Sequence, residues 1–327
     1  MTHPMSIAGK EFLIEGDAGY LAAMGGTFEP AVVSLLSMLT DKGSRCLDVG
    51  ANIGLTACAL STLCPDGKIA AVEPVPRTFG FLQRNVKGLS RVTAFKHALG
   101  STEGVLRMQG NPNFLAGSFV ADEYDIQDGG HFTEEVPVKT IDKAFQSFGL
   151  DRLDFIKIDV EGFEIEVFEG GRQVIGDLKP LTFLEMNHWC LNVFRRMSIP
   201  EFRERLLKVF PCVYAIEGDT FVDYADDAHA HHINHAHIIG HRYNNLVAGF
   251  DRDEIVTRLD ALRQTAAFET PAPQEEQATD PTIALRAEIE NLKKASARDR
   301  EIIESLKQST SWKVTAPLRA VSVAFKR

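Results

Sequence analysis

The sequence has no excess of positive charge, no cysteine pair at metal spacing, no apolar run long enough for a membrane and no internal repeat. Its 327 residues carry a formal net charge of −10. Nothing would offset phosphate repulsion over a wide face, which argues against a dedicated nucleic-acid binder. The five cysteines, Cys46, Cys58, Cys64, Cys190 and Cys212, form no CxxC. An odd count without metal spacing fits buried thiols in a reducing compartment. No stretch approaches the roughly 20 apolar residues of a membrane helix. The opening residues lack a basic start leading into an apolar stretch, so no signal peptide is expected and a cytoplasmic location is. What is present is a 44% hydrophobic chain, enough for one large core and an appendage.

Short apolar runs alternate with amphipathic stretches from Arg45 onward. RCLDVG (45–50), KIAAVEP (68–74), VTAFKHAL (92–99), LDFIKID (153–159), LTFLEM (181–186) and CVYAIEG (212–218) read as strands, with NNLVAGF (244–250) as the last. Between them lie helical patterns at 53–64, 76–88, 164–177 and 199–210. Strands alternating with helices imply βαβ units and a mostly parallel sheet, covered on both faces because the runs are continuous. Residues 1–44 read as lead-in helices, 45–250 as a doubly wound α/β domain, and 251–281 as a bridging helix and a Pro- and Glu-rich linker. The stretch 100–140 predicts a hairpin and a long loop. In 282–327, Leu285, Ile289, Leu292, Ile303 and Leu306 share a heptad seam interrupted by Ser296 and Asp299. A basic amphipathic end with Lys313, Arg319, Lys326 and Arg327 follows. This helical, coiled-coil tail predicts attachment rather than chemistry: self-association, docking on a partner enzyme, or contact with the inner face of a membrane. A solvated helix with a frayed end accounts for it equally well.

The strongest local signal is DVGANIG, Asp48 to Gly54, joining a strand to a helix. Gly50 and Gly54 permit a tight turn and a close approach to a ligand, and the following helix offers free N–H groups to a carboxylate. Glu73 ends the next strand, where an acid can accept hydrogen bonds from both ribose hydroxyls. A dinucleotide fingerprint would need GxGxxG. Here Asn52 stands at the second glycine and Leu55 at the third, so a pyrophosphate is poorly accommodated. S-adenosylmethionine has none, and its carboxylate and amine need only a loop and a few polar groups. The bland alternative is an ordinary strand–helix turn with a solvated Glu73.

Three further constellations stand out. KIDVEGFE, Lys157 to Glu164, ends a strand at the edge that faces the crevice of an open α/β sheet. Asp159 reads as functional there, while Glu164 reads as an acid at the positive end of a helix. FLEMNHW supplies Glu185, Asn187 and His188. His188 is a general-base candidate, because its ordinary pKa is near neutrality, or else a surface-loop histidine. His229, His231, His232, His235, His237 and His241 crowd one segment, with i, i+4 spacing at 231/235 and 237/241. They read as a polar loop, with a metal site as the sharper alternative.

In order, DVGANIG, VEPVPRTFGFLQRNV, HALG, DFIKIDVEGFEIEVFEGG and FLEMN resemble the FkbM family of methyltransferases over roughly residues 25–250. KIDVEGFE is the most specific piece. The resemblance implies a class I methyltransferase (Rossmann-like) sheet of seven strands, the last antiparallel, and S-adenosyl-L-methionine as cofactor. It implies that Glu29 touches the cofactor's amino group, and that Asp48, Gly50, Asn52 and Gly54 line its methionine end. It further implies that Glu73 holds the ribose, His97 and Ala98 lie near the adenine, and Asp159 and Glu161 sit between cofactor and acceptor. Ser118 matches a family position without an assigned role. The implied acceptor is a hydroxyl of a sugar or glycan, and the tail is similar to those of surface-polysaccharide enzymes.

A sugar hydroxyl is a poor acid, so a base or a metal-bound alkoxide is expected. Asp159 or His188 is the candidate base, with Glu161 and Glu185 orienting the acceptor or holding a divalent ion. Two other classes remain: a nicotinamide-dependent dehydrogenase, disfavoured by Asn52 and Leu55, and a non-catalytic scaffold acting through its coiled coil.

Overall fold

The computed structural model describes residues 1–111, 114–122, 126 and 130–269. The expected heptad seam and basic tail at 282–327 lie outside them. The chain opens with a hairpin, β1 (Thr2–Ile7) and β2 (Lys10–Glu15), followed by helices α1 (Ala18–Met24) and α2 (Pro30–Leu39). Then β3 (Arg45–Val49), α3 (Leu55–Leu63), β4 (Lys68–Val72), α4 (Pro76–Asn85) and β5 (Val92–Phe95) alternate. A separate group follows: β6 (Ala98–Leu99), β7 (Gly104–Asn111), β8 (Phe114–Val120) and β9 (Phe132–Lys139). Short α5 (Ile141–Ala144) leads to β10 (Phe155–Ile158), α6 (Glu164–Glu169), α7 (Arg172–Leu178), β11 (Leu181–Glu185), α8 (His188–Arg195) and α9 (Ile199–Leu207). β12 (Cys212–Glu217), β13 (Thr220–Asp223), α10 (Asp227–Gly240), β14 (Asn245–Gly249) and α11 (Arg252–Glu269) complete the described chain.

The main sheet has eight strands in the order β13-β12-β14-β11-β10-β3-β4-β5. The five from β11 to β5 are parallel. β14 enters antiparallel between β11 and β12. This is the expected doubly wound, class I arrangement with an antiparallel last strand. The extra edge strand, β13, forms a hairpin with β12. From β3 the chain first builds outward through β4 and β5, then returns to add β10 on the other side. The switch point therefore lies between β3 and β10, and the crevice above their carboxyl ends is where such sheets bind ligands.

Alternate side chains on each strand feed opposite cores. Leu47, Val49, Ile156 and Ile158 pack on one face with Ile165, Phe168 and Phe202. Cys46, Phe155 and Phe183 pack on the other with Leu36, Leu60 and Ile255. Polar residues at Asp48 and Lys157 interrupt this second face, opposite one another in the β3–β10 register.

Several local expectations need correction. The lead-in contains a hairpin as well as helices. Asn85 ties that hairpin to the glycine loop, donating to the carbonyls of Glu15 and Ile53, both at 2.8 Å. The run 92–99 is two strands, because Ala98 and Leu99 leave the main sheet to pair with Val138 and Lys139. The run 164–177 is two helices, α6 and α7, divided at Gly170 and Gly171. A Cβ on Gly170 would lie 1.9 Å from the Gly100 carbonyl oxygen. The stretch 100–140 forms a four-stranded sheet with β6 in the order β6-β9-β7-β8. The histidine-rich segment is helix α10, not a loop. The Asp226 side chain caps it by accepting from the Ala228 amide at 2.9 Å, and Ala230, Ile233 and His237 form its buried face. Among the described residues, no helix is long and apolar enough to cross a membrane.

Gly50 fixes how closely the two central strand ends approach. Its φ is 74°, and a Cβ there would lie 1.9 Å from the Asp159 carbonyl oxygen. Gly50→Ala should destabilise the fold by about 3 kcal/mol, through left-handed backbone and overlap together. Urea unfolding checks this, and an unchanged midpoint would contradict the packing described.

Candidate functional site

The turn after β3 wraps over the end of β4. The amides of Gly50 and Ala51 both donate to the Val72 carbonyl at 3.0 Å. Asn52 adopts a φ of 49°, and its amide donates to Glu73 Oε2 at 3.0 Å. The Val75 amide donates to Glu73 Oε1 at 2.9 Å. Glu73 is thus held at the strand end with a lone pair on each oxygen left for a ligand. Burial pushes its carboxyl up to about 7, and the two amides moderate the rise. Gly54 begins α3 with a φ of 95°, and a Cβ there would press on Leu82 of α4 at 2.8 Å. Both glycines therefore serve packing within the protein as much as approach to a ligand.

Two clefts meet at this turn. The first, about 650 Å³, is lined by Gly50, Asn52, Glu73, His97, Ala98, Ser118, Asp159, Glu161 and Phe163, among others. The second, about 580 Å³, is lined by Tyr20, Phe28, Glu29, Asn52, Lys157, Asp159, Glu185 and Asn245, among others. Gly50, Asn52 and Asp159 border both. Seven of the twelve residues expected to form the site line the first cleft: Gly50, Asn52, Glu73, His97, Ala98, Asp159 and Glu161. Glu29 and Glu185 join them through the second.

His97 is buried, and its Nε2 has no hydrogen-bond partner. Burial, then Lys139, lowers its pKa to about 4, so the ring is neutral at pH 7. Its plane is parallel to Phe148 at 6.2 Å. The buried Asn52 Oδ1 also lacks a partner. An unpaired buried polar atom costs free energy unless a ligand or water satisfies it. A polar ligand that spans the two clefts would do so.

Lys157 is the residue that the sequence pattern did not single out. It is 7% exposed, in the middle of FIKI. Its ammonium group lies 3.2 Å from Asp159 and 4.0 Å from Asp48. Burial works against its charge, but Asp159 and Asp48 more than offset this and raise its pKa. Asp48 does not line either cleft: it is fully buried beneath the loop, with a pKa pushed to about 6 chiefly by burial. A lysine in a strand buried on both faces was itself a signal, because such a charge needs a partner.

Glu161 has a φ of 52° and accepts a hydrogen bond from the Cys190 thiol at 2.9 Å. Burial, then Asp159, raises its pKa to about 7. Glu185 is raised to about 8 by burial, then by Asp159 and Glu161. Glu164 sits in the first turn of α6 and accepts from the amides of Gly162 and Val160 at 3.1 and 3.3 Å, so it holds the turn. His188 lies away from this group. Its amide donates to His237 Nε2 at 3.3 Å, its ring is 5.2 Å from that of His241, and it lines neither cleft. His237 is buried, with Nδ1 against the Arg242 carbonyl at 2.8 Å. Among the described residues, no three His, Cys, Asp or Glu side chains are placed to hold a metal.

Residues 48–210 match the family model described as the methyltransferase FkbM domain. Methyltransferase sdnD of Sordaria araneosa is 31% identical over 152 residues, covering 38% of this chain and 59% of that protein. Hexuronic acid methyltransferase AglP of Haloferax volcanii is 30% identical over 145 residues, covering 43% and 56%. 2-O-methyltransferase NoeI of Sinorhizobium fredii is 27% identical over 156 residues, covering 43% and 63%. The chain thus spans between 56% and 63% of the length of these relatives.

The raised acids make stability depend on pH. Glu164 and Glu185 have pKa values near 8 in the folded protein against an ordinary 4.5. Folding therefore takes up protons, and their contribution is lost as pH rises toward about 8. The lowered His97, His188 and His237 act in the opposite sense, and only below their ordinary 6.5. The ligand-free protein should melt at a lower temperature at pH 8.5 than at pH 6.5, and Glu185→Gln should shrink that difference. A melting temperature that rises over this window would contradict the burial of these acids.

Proposed function

Because the chain belongs to the FkbM family of methyltransferases, we propose that it is an S-adenosylmethionine-dependent O-methyltransferase acting on a hydroxyl of a sugar or glycan. One observation carries this reading: Asp159 borders both clefts, one containing Glu73 and the other Glu185. An acid suited to accept from ribose hydroxyls and a group of carboxylates thus border on one residue.

The residues present fit the cofactor. Glu73 has acceptor capacity for two ribose hydroxyls. His97, neutral and unpaired at Nε2, offers a polar edge to the base. Glu29 stands where an ammonium group would be stabilised, and the carboxylates around Asp159 favour a cationic ligand. Asn52 and Leu55 stand where a dinucleotide loop needs its second and third glycines, which counts against a nicotinamide dinucleotide.

S-adenosylmethionine supplies an electrophilic methyl group when bound. The protein's own tasks are to place the acceptor oxygen and to remove its proton. Lys157 holds Asp159 by an ion pair at 3.2 Å, which suits Asp159 to orienting the acceptor hydroxyl. Glu161, with a pKa near 7, matches the working pH and is the better base, contributing roughly 10²–10⁴-fold. His188, which lines neither cleft, is set aside as a base. A hexuronic acid methyltransferase and a 2-O-methyltransferase among the relatives support a sugar hydroxyl as acceptor.

Incubation with S-adenosylmethionine and a panel of methyl glycosides, followed by S-adenosylhomocysteine release, tests the reading. Turnover on at least one sugar is expected, rising with pH through about 7 as Glu161 ionises. Glu161→Gln should fold normally and lose at least tenfold in turnover; Asp159→Asn should lose as much and also melt at a lower temperature, because it leaves Lys157 with only Asp48 at 4.0 Å. Near-normal turnover in either variant would remove that residue from the mechanism.

A further inference from the structure

The candidate base Glu161 stands on the turn between β10 and α6, in the wall of the first cleft. Its φ is 52°, and Gly162 follows at 94°. Left-handed backbone at a residue other than glycine persists only where the surroundings hold it. Helix α8 does so. A Cβ on Gly162 would lie 3.1 Å from the Cys190 carbonyl carbon and 3.3 Å from Arg195 Cγ, so the turn is pressed against the helix. The Asn187 side chain caps α8 by accepting from the Cys190 amide at 3.2 Å. Cap and close approach together fix where the Cys190 side chain begins. Cys190 is 2% exposed and packs with Phe119, Ala121 and Phe194. In these apolar surroundings its thiol donates to Glu161 Oε2 at 2.9 Å.

We propose that Cys190 is a positioning residue for the base: its thiol holds Glu161 Oε2 and leaves Oε1 to take the proton of the acceptor hydroxyl. This rests on the methyltransferase reading above and deepens it. A cysteine that served packing alone would need no polar partner, because a buried thiol behaves as a small hydrophobe. A nucleophilic cysteine would have to ionise, whereas burial, then Glu161, pushes this thiol up. It therefore stays protonated and donates. The hydrogen bond favours the ionised form of Glu161, against burial and Asp159. The other groups around the turn do not replace it. Glu164 and Glu185, which also face the thiol, are acids. Lys157 is held by Asp159 at 3.2 Å and lowers Glu161 less than the thiol does. Arg195, behind the turn, is paired with Asp122 and Glu166. A thiol is a weak donor, so it orders the carboxylate without pulling its titration far below neutrality.

Infrared spectra of the full chain test the contact without relying on turnover. The S–H stretch absorbs in a window clear of other protein bands and falls in frequency as its acceptor strengthens. The component present in the wild type and absent from Cys190→Ala should fall in frequency as pH rises through about 7. It should stay in place in Glu161→Gln. Kinetics on a sugar that is turned over test the role. In Cys190→Ala the rising limb of kcat should move to higher pH by about 0.5, read as a roughly threefold loss at pH 6.5, with KM for S-adenosylmethionine unchanged. Cys190→Ser keeps a donor and should hold the limb at or below its wild-type position. An S–H band that ignores pH would overturn the positioning role and leave the methyltransferase reading standing. So would a limb that stays in place in Cys190→Ala while turnover falls equally at every pH. A band that follows Glu161 in a protein that methylates no sugar would support the pairing and sink that reading.

Discussion

Lys157 sits in β10, between β3 and β11, 7% exposed at the floor of the second cleft. Its ammonium group is compensated by Asp159 at 3.2 Å and Asp48 at 4.0 Å. Taking one charge out of water costs several kcal/mol unless a partner of opposite sign is held beside it. The carboxyl ends of β3 and β10 therefore have to stay in register, because Asp48 lies opposite Lys157 across the ladder. That register brings the Asp159 carbonyl against Gly50, where only a glycine fits. The glycine turn, the Asp159 carboxylate and the meeting of the two clefts all follow from it. Removing the lysine would leave the buried Asp48 carboxylate without its cation and Asp159 unpaired at the edge of the clefts.

The electrostatics of the cleft follow from the same arrangement. Lys157 pairs with Asp159 and faces Asp48, whose two carboxylate oxygens are buried without a hydrogen-bond partner, and its charge lowers Glu73, Glu161 and Glu185 less than burial raises them. Their carboxyl groups are pushed toward or above neutrality by burial. A cationic ligand would draw these acids toward their ionised forms, whereas an anion would hold them protonated. The site suits a ligand that brings positive charge, and it keeps a carboxylic acid near its titration point, where a base can both take and release a proton.

The architecture was legible because it depends on periodicity and on strand-end chemistry. Continuous apolar runs located the parallel strands, and DVGANIG, Glu73 and Asp159 located the crevice at the switch point. What the sequence concealed depends on tertiary contacts. Lys157 passed as one residue of an apolar strand, because its partners lie on another strand and at the strand end. Asp48 looked like a wall of the cleft, yet the β3–β10 register turns it under the loop. His188 followed a strand end as a good base would, but α8 carries it toward α10 instead. The histidines at 229–241 suggested a loop by their polarity, while the capping Asp226 and the buried stripe of Ala230, Ile233 and His237 make them a helix. The Cys190–Glu161 contact joins residues 29 positions apart, and no local pattern announces it.

The central claim is that this crevice binds S-adenosylmethionine through Glu73 rather than a dinucleotide. Calorimetric titration of the full chain with S-adenosylmethionine and, separately, with NAD tests it most directly, with Glu73→Ala as the comparison. Saturable binding of S-adenosylmethionine, absent for NAD and weakened at least tenfold in the variant, is the expected result. Binding of NAD instead, or S-adenosylmethionine binding that ignores the loss of Glu73, would contradict it.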